Sequence, residues 1–307
     1  MSERRAIFLG SKAFGLAVLR VLMEADPSVS WSVLHPADDQ DARSARAAFE
    51  TYCAERALPL TVTARSKQAY EIIAAEAPDI VFVCGWYFLI PPETLSAGPR
   101  FFGIHNSLLP KYRGGSPLVW AMIRGDRVVG STLFGFTPGM DDGPVYKQVS
   151  IEPDGQEGIG DLLARLEQSW LEALPGTWPA VVSGTVSGSV QDESAATYCG
   201  LRRPEDGEID WRQDAQSIHD FVRAQARPYP GAFTQGTNGP IHVWRTKLFG
   251  APYHGTPGQL LERRPGEAIV ACGNGTAISI LEASDQAGRE DLATLFPSLS
   301  VRLDRRG

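Results

Sequence analysis

Two short segments of the chain concentrate residue types that can move protons. Residues 103–115 read GIHNSLLPKYRGG and contain His105, and residues 139–143 read GMDDG, which places Asp141 and Asp142 in a turn bracketed by glycines. A histidine oriented by an aspartate can take a proton from an attacking amine and return one to a leaving nitrogen, as acyl transfer to an amine requires. The residue types alone leave a second interpretation open, in which the histidine is structural and the aspartates are merely solvated.

Two basic residues are predicted to contact an anionic substrate. Arg113 carries a planar guanidinium that suits a phosphate or carboxylate, and it could equally hold its loop to an internal acid. Lys12 opens the first predicted helix, where backbone N–H groups and the helix dipole favour an anion. An ordinary surface position is the alternative for Lys12.

The first half of the chain alternates short apolar runs with amphipathic stretches, the pattern of a parallel sheet with crossover helices. The predicted strands are residues 6–10, 31–35, 60–62, 79–84 and 101–105. The predicted helices are residues 13–25, 45–57, 66–77 and 116–123. The last of these strands ends on His105, and the carboxyl ends of such strands are where open α/β sheets bind ligands.

Later segments change character. Residues 131–151 show a period of two around the GMDDG turn, which predicts two extended segments, and residues 159–174 form a long amphipathic pattern. Residues 175–194 are rich in Gly, Pro, Ser and Thr and are predicted to connect two domains. We therefore predict an α/β fold, with a doubly wound, mostly parallel, Rossmann-like sheet in residues 1–200. Residues 201–307 are predicted to form a smaller β-barrel-like, OB-like domain, from a helix at 217–226 and strands at 241–248, 268–272 and 277–281.

Composition excludes several classes of function. The 307 residues are 43% hydrophobic with a net charge of −7, which disfavours general affinity for nucleic acid. No apolar run approaches the roughly 20 residues of a membrane helix, and the first strand is too short for a secretory signal. We therefore predict a cytoplasmic protein without a membrane partner. Four isolated cysteines and five dispersed histidines predict free thiols and no metal site.

The pattern His-x-Ser-Leu-Leu-Pro-x-Tyr-Arg-Gly, followed by Asp-x-Gly, resembles the signature of the formyl-tetrahydrofolate-dependent formyltransferases. His105 and Asp141 have the spacing of that signature. The resemblance implies a 10-formyltetrahydrofolate co-substrate, with His105 as general base and acid and Asp141 holding it and tuning its pKa. It extends through Trp211 and residues 228–232 and therefore covers most of the chain. Within the family, which includes methionyl-tRNA formyltransferases, the chain looks most similar to N-formyltransferases of nucleotide-linked amino sugars.

The resemblance also implies a folate pocket behind the fourth predicted strand. The segment that follows this strand, residues 85–91, reads GWYFLIP. Its backbone groups would hydrogen-bond the flat pterin ring, and its apolar side chains would flank the ring. Ordinary packing is the alternative for the aromatic side chains. The residues predicted to contact folate are Gly85, Trp86, Tyr87, Ile90, Leu108 and Asp142.

One position departs from the family pattern. The family carries Asn-x-His, in which the asparagine amide helps to bind the oxyanion, and Gly103 stands at that position here. Loss of such a donor typically costs about 2.7–4 kcal/mol of transition-state stabilisation. Three hypotheses follow: Asn106 takes over as a catalytic residue, a backbone N–H or water fills the gap, or formyl transfer has been lost.

The identity of the acceptor amine is predicted from residues 35–43, which read HPADDQDAR. Family members that formylate initiator tRNA have a basic insertion at this place, whereas three aspartates would repel a phosphate backbone. The predicted acceptor is a nucleotide-linked amino sugar, with a siderophore or secondary-metabolite amine and methionyl-tRNA as alternatives. Other classes left open are a formyl-tetrahydrofolate hydrolase, a non-catalytic folate-binding protein and an enzyme that carries formimidoyl. A homodimer is compatible with the sequence.

Overall fold

The computed structural model describes residues 4–236 and 239–303, which form two compact units. One comprises Met1–Gly114, Gly130–Ser150 and Arg165–Tyr198. The other is composed of three segments: Gly115–Val129, Ile151–Ala164 and Cys199–Gly307. Both units are therefore discontinuous in sequence, and the single boundary at residue 200 stays a prediction.

The regular elements alternate over the first half of the chain as predicted. The helices are α1 (Lys12–Ala25), α2 (Arg46–Glu55), α3 (Ser66–Glu76), α4 (Pro92–Leu95), α5 (Pro117–Ile123), α6 (Ile159–Ser183), α7 (Ala215–Arg223) and α8 (Leu292–Leu295). The strands are β1 (Arg4–Gly10), β2 (Val29–Pro36), β3 (Leu60–Thr63), β4 (Ile80–Cys84), β5 (Arg100–His105), β6 (Arg113–Gly114), β7 (Val129–Gly135), β8 (Val145–Ile151), β9 (Tyr198–Cys199), β10 (Ala232–Gly236), β11 (Gly239–Leu248), β12 (Leu260–Arg264), β13 (Glu267–Ala271) and β14 (Ala277–Asp285).

The first unit contains a seven-stranded sheet in the order β3-β2-β1-β4-β5-β7-β8. The five strands from β3 to β5 are parallel, and β7 runs antiparallel to β5. The chain leaves β1 towards β2 and β3, and then crosses to β4 on the other side of β1. This reversal creates a crevice at the carboxyl ends of β1 and β4, where doubly wound sheets bind ligands. The predicted doubly wound, mostly parallel sheet is confirmed.

The central strands carry continuous apolar runs, residues 6–9 in β1 and Ile80–Cys84 in β4, because both faces of the sheet are covered there. Phe8 of β1 is fully buried and packs near Phe49 and Phe82, while its neighbours Ile7 and Leu9 belong to a separate apolar cluster with Tyr70. A strand buried on both faces has no polar side to alternate with, which explains the continuous apolar runs in the sequence.

Helix α6 is longer than predicted. The prediction ended it at residue 174, before a domain connection at 175–194, but the helix continues to Ser183 and contains Pro175 and Pro179. Each proline costs roughly 3 kcal/mol inside a helix. Between residues 174 and 182, four side chains lie at helical spacing and are at most 1% exposed, and each stabilises the helix by about 1.5–3 kcal/mol through burial. They are Leu174, Trp178, Val181 and Val182.

The second unit contains a five-stranded sheet in the order β10-β11-β14-β13-β12, with every neighbouring pair antiparallel. Its core is built around Trp211, Ile218 and Val222 together with residues of the sheet such as Ile280. The predicted carboxyl-terminal β-domain is confirmed as an antiparallel sheet. The sequence prediction did not include β10 and β12.

Neither a metal-binding cluster nor a membrane-spanning helix is found within residues 4–236 and 239–303. No cluster of three or more His, Cys, Asp or Glu side chains there could hold a metal ion. In the same described ranges, no helix is both long enough and apolar enough to cross a membrane.

Candidate active site

His105 is the last residue of β5, and its side chain is 10% exposed. Its Nε2 lies 2.9 Å from the carbonyl oxygen of Tyr112. Because a carbonyl oxygen only accepts, Nε2 carries the proton and donates to Tyr112. In the neutral ring Nδ1 is therefore the basic nitrogen, and it lies 3.7 Å from Oδ2 of Asp141, beyond hydrogen-bonding distance. Nδ1 can thus take a proton, with a carboxylate placed to stabilise the imidazolium that results.

Asp141 lies in the turn between β7 and β8, the two extended segments that the sequence predicted. Its φ of 49° is in the left-handed region. Its Oδ2 accepts the backbone N–H of Gly114 at 2.7 Å, and its own carbonyl oxygen accepts a hydrogen bond from Nε2 of Gln191 at 2.8 Å. The structure therefore brings the two predicted residues together, with the carboxylate held from outside the turn.

Arg113 is buried, with only 1% exposure, and it contacts the Asp141 turn through Gln191. Its guanidinium donates to both carboxylate oxygens of Glu193, at 2.7 and 2.9 Å, and to Oε1 of Gln191. Gln191 in turn donates to the carbonyl oxygens of Asp141 and Gly143. Arg113 thus holds its loop to an internal acid, the second of its two interpretations, and its contact with substrate stays a prediction.

The side-chain amide of Asn106 accepts a hydrogen bond at its oxygen. The hydroxyl of Ser131 on β7 lies 3.1 Å from Oδ1 of Asn106 and 3.0 Å from the carbonyl oxygen of His105, so its single proton is shared between two acceptors. The Nδ2 group is the end of the amide that Ser131 does not hold. An amide N–H₂ group adjacent to the histidine is the kind of donor that an oxyanion needs.

The structure adds three residues that the sequence missed. Tyr112 contributes its backbone carbonyl, which no side-chain motif reveals. Gln191 and Ser131 are single polar residues far along the chain from His105, and only the fold brings Ser131 to the carbonyl oxygen of His105 and Gln191 to that of Asp141. Gln191 also lies in the segment that was predicted to be a domain connection.

Gly85 follows β4 at the crevice beside β1. Its φ is +74°, and a Cβ there would lie 2.3 Å from the backbone oxygen of Ser11, so the position admits glycine alone. The hydroxyl of Ser11 donates to the carbonyl oxygen of Gly85 at 2.8 Å. The predicted folate segment therefore begins where the sheet topology places a ligand.

The side chains of residues 86–90 divide into a buried group and an exposed group. Ile90 is buried, and Trp86 packs beside it with its indole N–H donating to the hydroxyl of Tyr70 at 3.2 Å. Tyr87 and Phe88 are 54% and 40% exposed, and their ring centres are 4.7 Å apart. Ordinary packing, which the sequence left open for the aromatic side chains of this segment, and contact of Trp86, Tyr87 and Ile90 with folate both stay predictions.

The other two residues predicted to contact folate have different surroundings. Leu108 packs over Gly130 of β7, where a Cβ would lie 2.4 Å from its Cδ2 atom. Asp142 is exposed and accepts a hydrogen bond from the hydroxyl of Thr137. Their contact with folate stays a prediction.

Lys12 begins α1 as predicted, with a φ of +72°, and its ammonium forms ion pairs with two carboxylates. It lies 2.8 Å from carboxylate oxygens of both Asp38 and Asp41, and 5.3 Å from the ring centre of Tyr87. Burial lowers the pKa of Lys12, but the hydrogen bonds to the two carboxylates outweigh it and raise that pKa above its ordinary value. Contact of Lys12 with substrate stays a prediction.

Comparison with known proteins gives matches along most of the chain. Residues 7–177 match the family described as formyl transferase, and residues 202–294 match its carboxyl-terminal domain. A methionyl-tRNA formyltransferase of Solibacter usitatus is 32% identical over 291 residues, which cover 93% of this chain and 92% of that protein.

Solved structures share the fold. An N-formyltransferase from Helicobacter canadensis, in complex with folinic acid and dTDP-3-aminofucose, has a TM-score of 0.69 and 16% identity, with 91% of this chain and 99% of that chain covered. HypX from Aquifex aeolicus in complex with tetrahydrofolic acid has a TM-score of 0.64 and 18% identity over 97% of this chain. The match covers 48% of HypX, so this chain spans about half the length of that protein.

Proposed function

We propose, from the premise that this chain belongs to the formyl transferase family and is a folate-dependent formyltransferase, that its acceptor is the amine of a small molecule. A nucleotide-linked amino sugar is the leading candidate. The donor is 10-formyltetrahydrofolate, and the exposed Tyr87 and Phe88 beside Gly85 offer its pterin ring an apolar face.

The acceptor proposal rests on the ion pairs formed by the aspartates of the loop after β2. Lys12, Arg43 and Arg46 are the basic side chains at this loop, and each forms an ion pair with one or two of its aspartates. A phosphate backbone would have to displace those carboxylates before it could use the basic groups. The loop is therefore poorly suited to hold tRNA, whereas a small acceptor does not need it.

The proposed chemistry uses the geometry around His105. Nδ1 takes the proton of the attacking amine while Tyr112 keeps Nε2–H in place. Asp141 stabilises the imidazolium, and His105 then returns the proton to the leaving nitrogen of the donor. The same ring therefore serves as base and acid, without a second titrating side chain.

We assign the missing oxyanion donor to Nδ2 of Asn106. Replacement of one such donor costs about 10²–10³ in kcat. Asn106→Ala should therefore lower kcat by that factor with little change in KM for the donor, and Asn106→Asp should not restore it because a carboxylate cannot donate. Turnover of Asn106→Ala equal to that of the wild type would show that a backbone N–H or water stabilises the oxyanion instead.

Methionyl-tRNA is the second candidate acceptor, because the relative from Solibacter usitatus, which is 32% identical, is named a methionyl-tRNA formyltransferase. The two candidates separate in one experiment. Folinic acid binding is first measured by calorimetry on wild type and His105→Gln, and the wild type is then assayed with 10-formyltetrahydrofolate and a panel of acceptors. The panel contains dTDP-linked 3-amino sugars, a siderophore amine and methionyl-tRNA.

Formylation of a sugar nucleotide with kcat/KM above that for methionyl-tRNA supports the proposal. A preference for methionyl-tRNA at physiological salt would overturn it and leave the family assignment intact. Rapid formate release without any amine would identify a hydrolase, and folinic acid binding without turnover of the whole panel would favour a non-catalytic folate-binding protein.

A further inference from the structure

Gly103 leaves a gap on the face of β5 that carries His105. Residues 103 and 105 point to the same side of the strand and lie about 6.6 Å apart along it. Phe134 of β7 pairs directly opposite Gly103. A Cβ built on Gly103 would lie 2.7 Å from Cε1 of Phe136 and 2.9 Å from the carbonyl oxygen of Val83, so a side chain fits there only if Phe136 moves and the backbone at Val83 shifts slightly.

The ring of Phe136 fills this gap and is held there by a second ring. Phe134 and Phe136 are stacked, with ring centres 4.8 Å apart and 26° between their planes. The ring of Phe134 meets that of His105 at 6.1 Å and 72°, an edge-to-face arrangement. Phe136 is half-buried, packed on one side against the apolar cluster of Ile7 and remaining partly open on the other.

We propose that Phe136 takes the place of a side chain at position 103 and keeps water away from the formyl carbon beside His105. The inference rests on formyl transfer from folate as the reaction of this site and deepens it, because it names the residue that decides between amine and water as the acceptor. A polar side chain at 103 would hold a water or donate to the substrate, whereas an aromatic ring excludes water.

The competing reaction is hydrolysis of the donor. The oxygen of water forms a bond to the formyl carbon, the bond from that carbon to N10 of the folate breaks, and N10 takes a proton. Formate and tetrahydrofolate are the products. The basic nitrogen of His105 that accepts a proton from an amine can equally accept one from water, so the outcome depends on which nucleophile reaches the carbon.

The test is formate release from saturating 10-formyltetrahydrofolate with no amine present. Phe136→Ala should raise the rate of formate release by about tenfold over wild type, and Phe136→Leu should raise it less because the side chain still fills most of the gap. Gly103→Ala keeps the ring but displaces it, and should raise formate release as well. The double variant Gly103→Ala/Phe136→Ala should release formate no faster than Phe136→Ala, since both changes remove the same barrier.

Phe221→Ala is the matched control, because Phe221 is a half-buried phenylalanine on α7 that packs against the core of the second unit. It should lower thermal stability without raising formate release. A purely structural role for Phe136 would lower stability in the same way and leave formate release at or below the wild-type rate, which would overturn the proposal. Rapid formate release by the wild type would overturn it too.

This measurement needs only the donor. A preference for methionyl-tRNA in the acceptor panel would therefore defeat the small-molecule proposal and leave the result for Phe136 unaffected. Conversely, formylation of a sugar nucleotide together with unchanged formate release in Phe136→Ala would defeat the proposal for Phe136 alone.

Discussion

Lys12 and His105 both lie at the carboxyl edge of the same sheet, Lys12 just after β1 and His105 at the end of β5, and both face aspartates. Lys12 contacts Asp38 and Asp41 at 2.8 Å each, and the side chain of Asp38 is fully buried. His105 lies 3.7 Å from Asp141, whose side chain is 26% exposed. One pair is closed by direct hydrogen bonds, and the other is near but not bonded.

The difference separates an ion pair joined by hydrogen bonds from a histidine with one ring nitrogen near, but not bonded to, a carboxylate. Burial would raise the pKa of Asp38, but its hydrogen bonds to Lys12 and Ser44 outweigh this and lower that pKa below its ordinary value. The charges of Lys12 and Asp38 are thus committed to each other over a wide pH range. The Nε2 of His105 is hydrogen-bonded to Tyr112, and its Nδ1 lies 3.7 Å from Asp141, an arrangement in which Nδ1 can take part in proton transfer.

The largest expected effect comes from removing the proton acceptor. His105→Gln should lower kcat by about 10²–10⁴, because general acid–base catalysis contributes that much, while its amide can still donate to the carbonyl of Tyr112. Folinic acid affinity by calorimetry and the urea midpoint should stay close to wild type. A kcat within a few-fold of wild type would place the catalytic base elsewhere.

Breaking the ion pairs of Lys12 with Asp38 and Asp41 should lower the stability of the fold rather than the rate of the reaction. Lys12→Met keeps the apolar stem but leaves Asp38 buried without its cation, and should lower the free energy of unfolding by about 3 kcal/mol, the low end for such a loss. Urea denaturation measures this. The control is Lys67→Met, which removes the exposed pair with Glu71 and should cost at most about 0.5 kcal/mol. Equal effects of the two substitutions would contradict the structural role of Lys12.

The turn that carries Asp141 should be sensitive to Arg113. Arg113→Met removes the donors to the buried Gln191 and should cost about 1–3 kcal/mol. Because Gln191 holds the Asp141 turn, kcat should also fall, with KM for the donor little changed. Arg212→Met, which removes an exposed pair with Asp210, is the control and should change neither quantity. Wild-type kcat in Arg113→Met would show that Asp141 is positioned without this network.

The smallest effect concerns pH. The folded-state pKa of Asp38 is lowered, so its contribution to stability is present above about pH 3.9 and is lost as pH falls through the folded value. That of Lys12 is raised, so its contribution is present below about pH 10.4 and is lost as pH rises through the folded value. The difference in urea midpoint between wild type and Lys12→Met should therefore be level between these limits and shrink beyond both. A difference that grows at either extreme would contradict these pKa directions.

Local patterns predicted His105 at the end of a strand and Asp141 in a turn, and the resemblance to the family signature, whose spacing they match, predicted that the two residues pair. The same reasoning placed Lys12 at a helix start but could not pair it with Asp38, since that pairing depends on the position of the loop after β2 relative to β1. Arg113 shows the limit most clearly. Its two interpretations were equally good in sequence, and only the fold shows that its buried guanidinium donates to Gln191 and Glu193.

The sequence by itself determined the alternation of strands and helices, the doubly wound sheet and the two catalytic candidates, because apolar periodicity and turn residues act over a few neighbours. Only the tertiary structure decided where α6 ends, which aromatic rings of residues 86–88 face solvent, and what occupies the gap at Gly103. Each of these depends on side chains brought together from distant segments. Their packing outweighs the local preferences that a sequence pattern records.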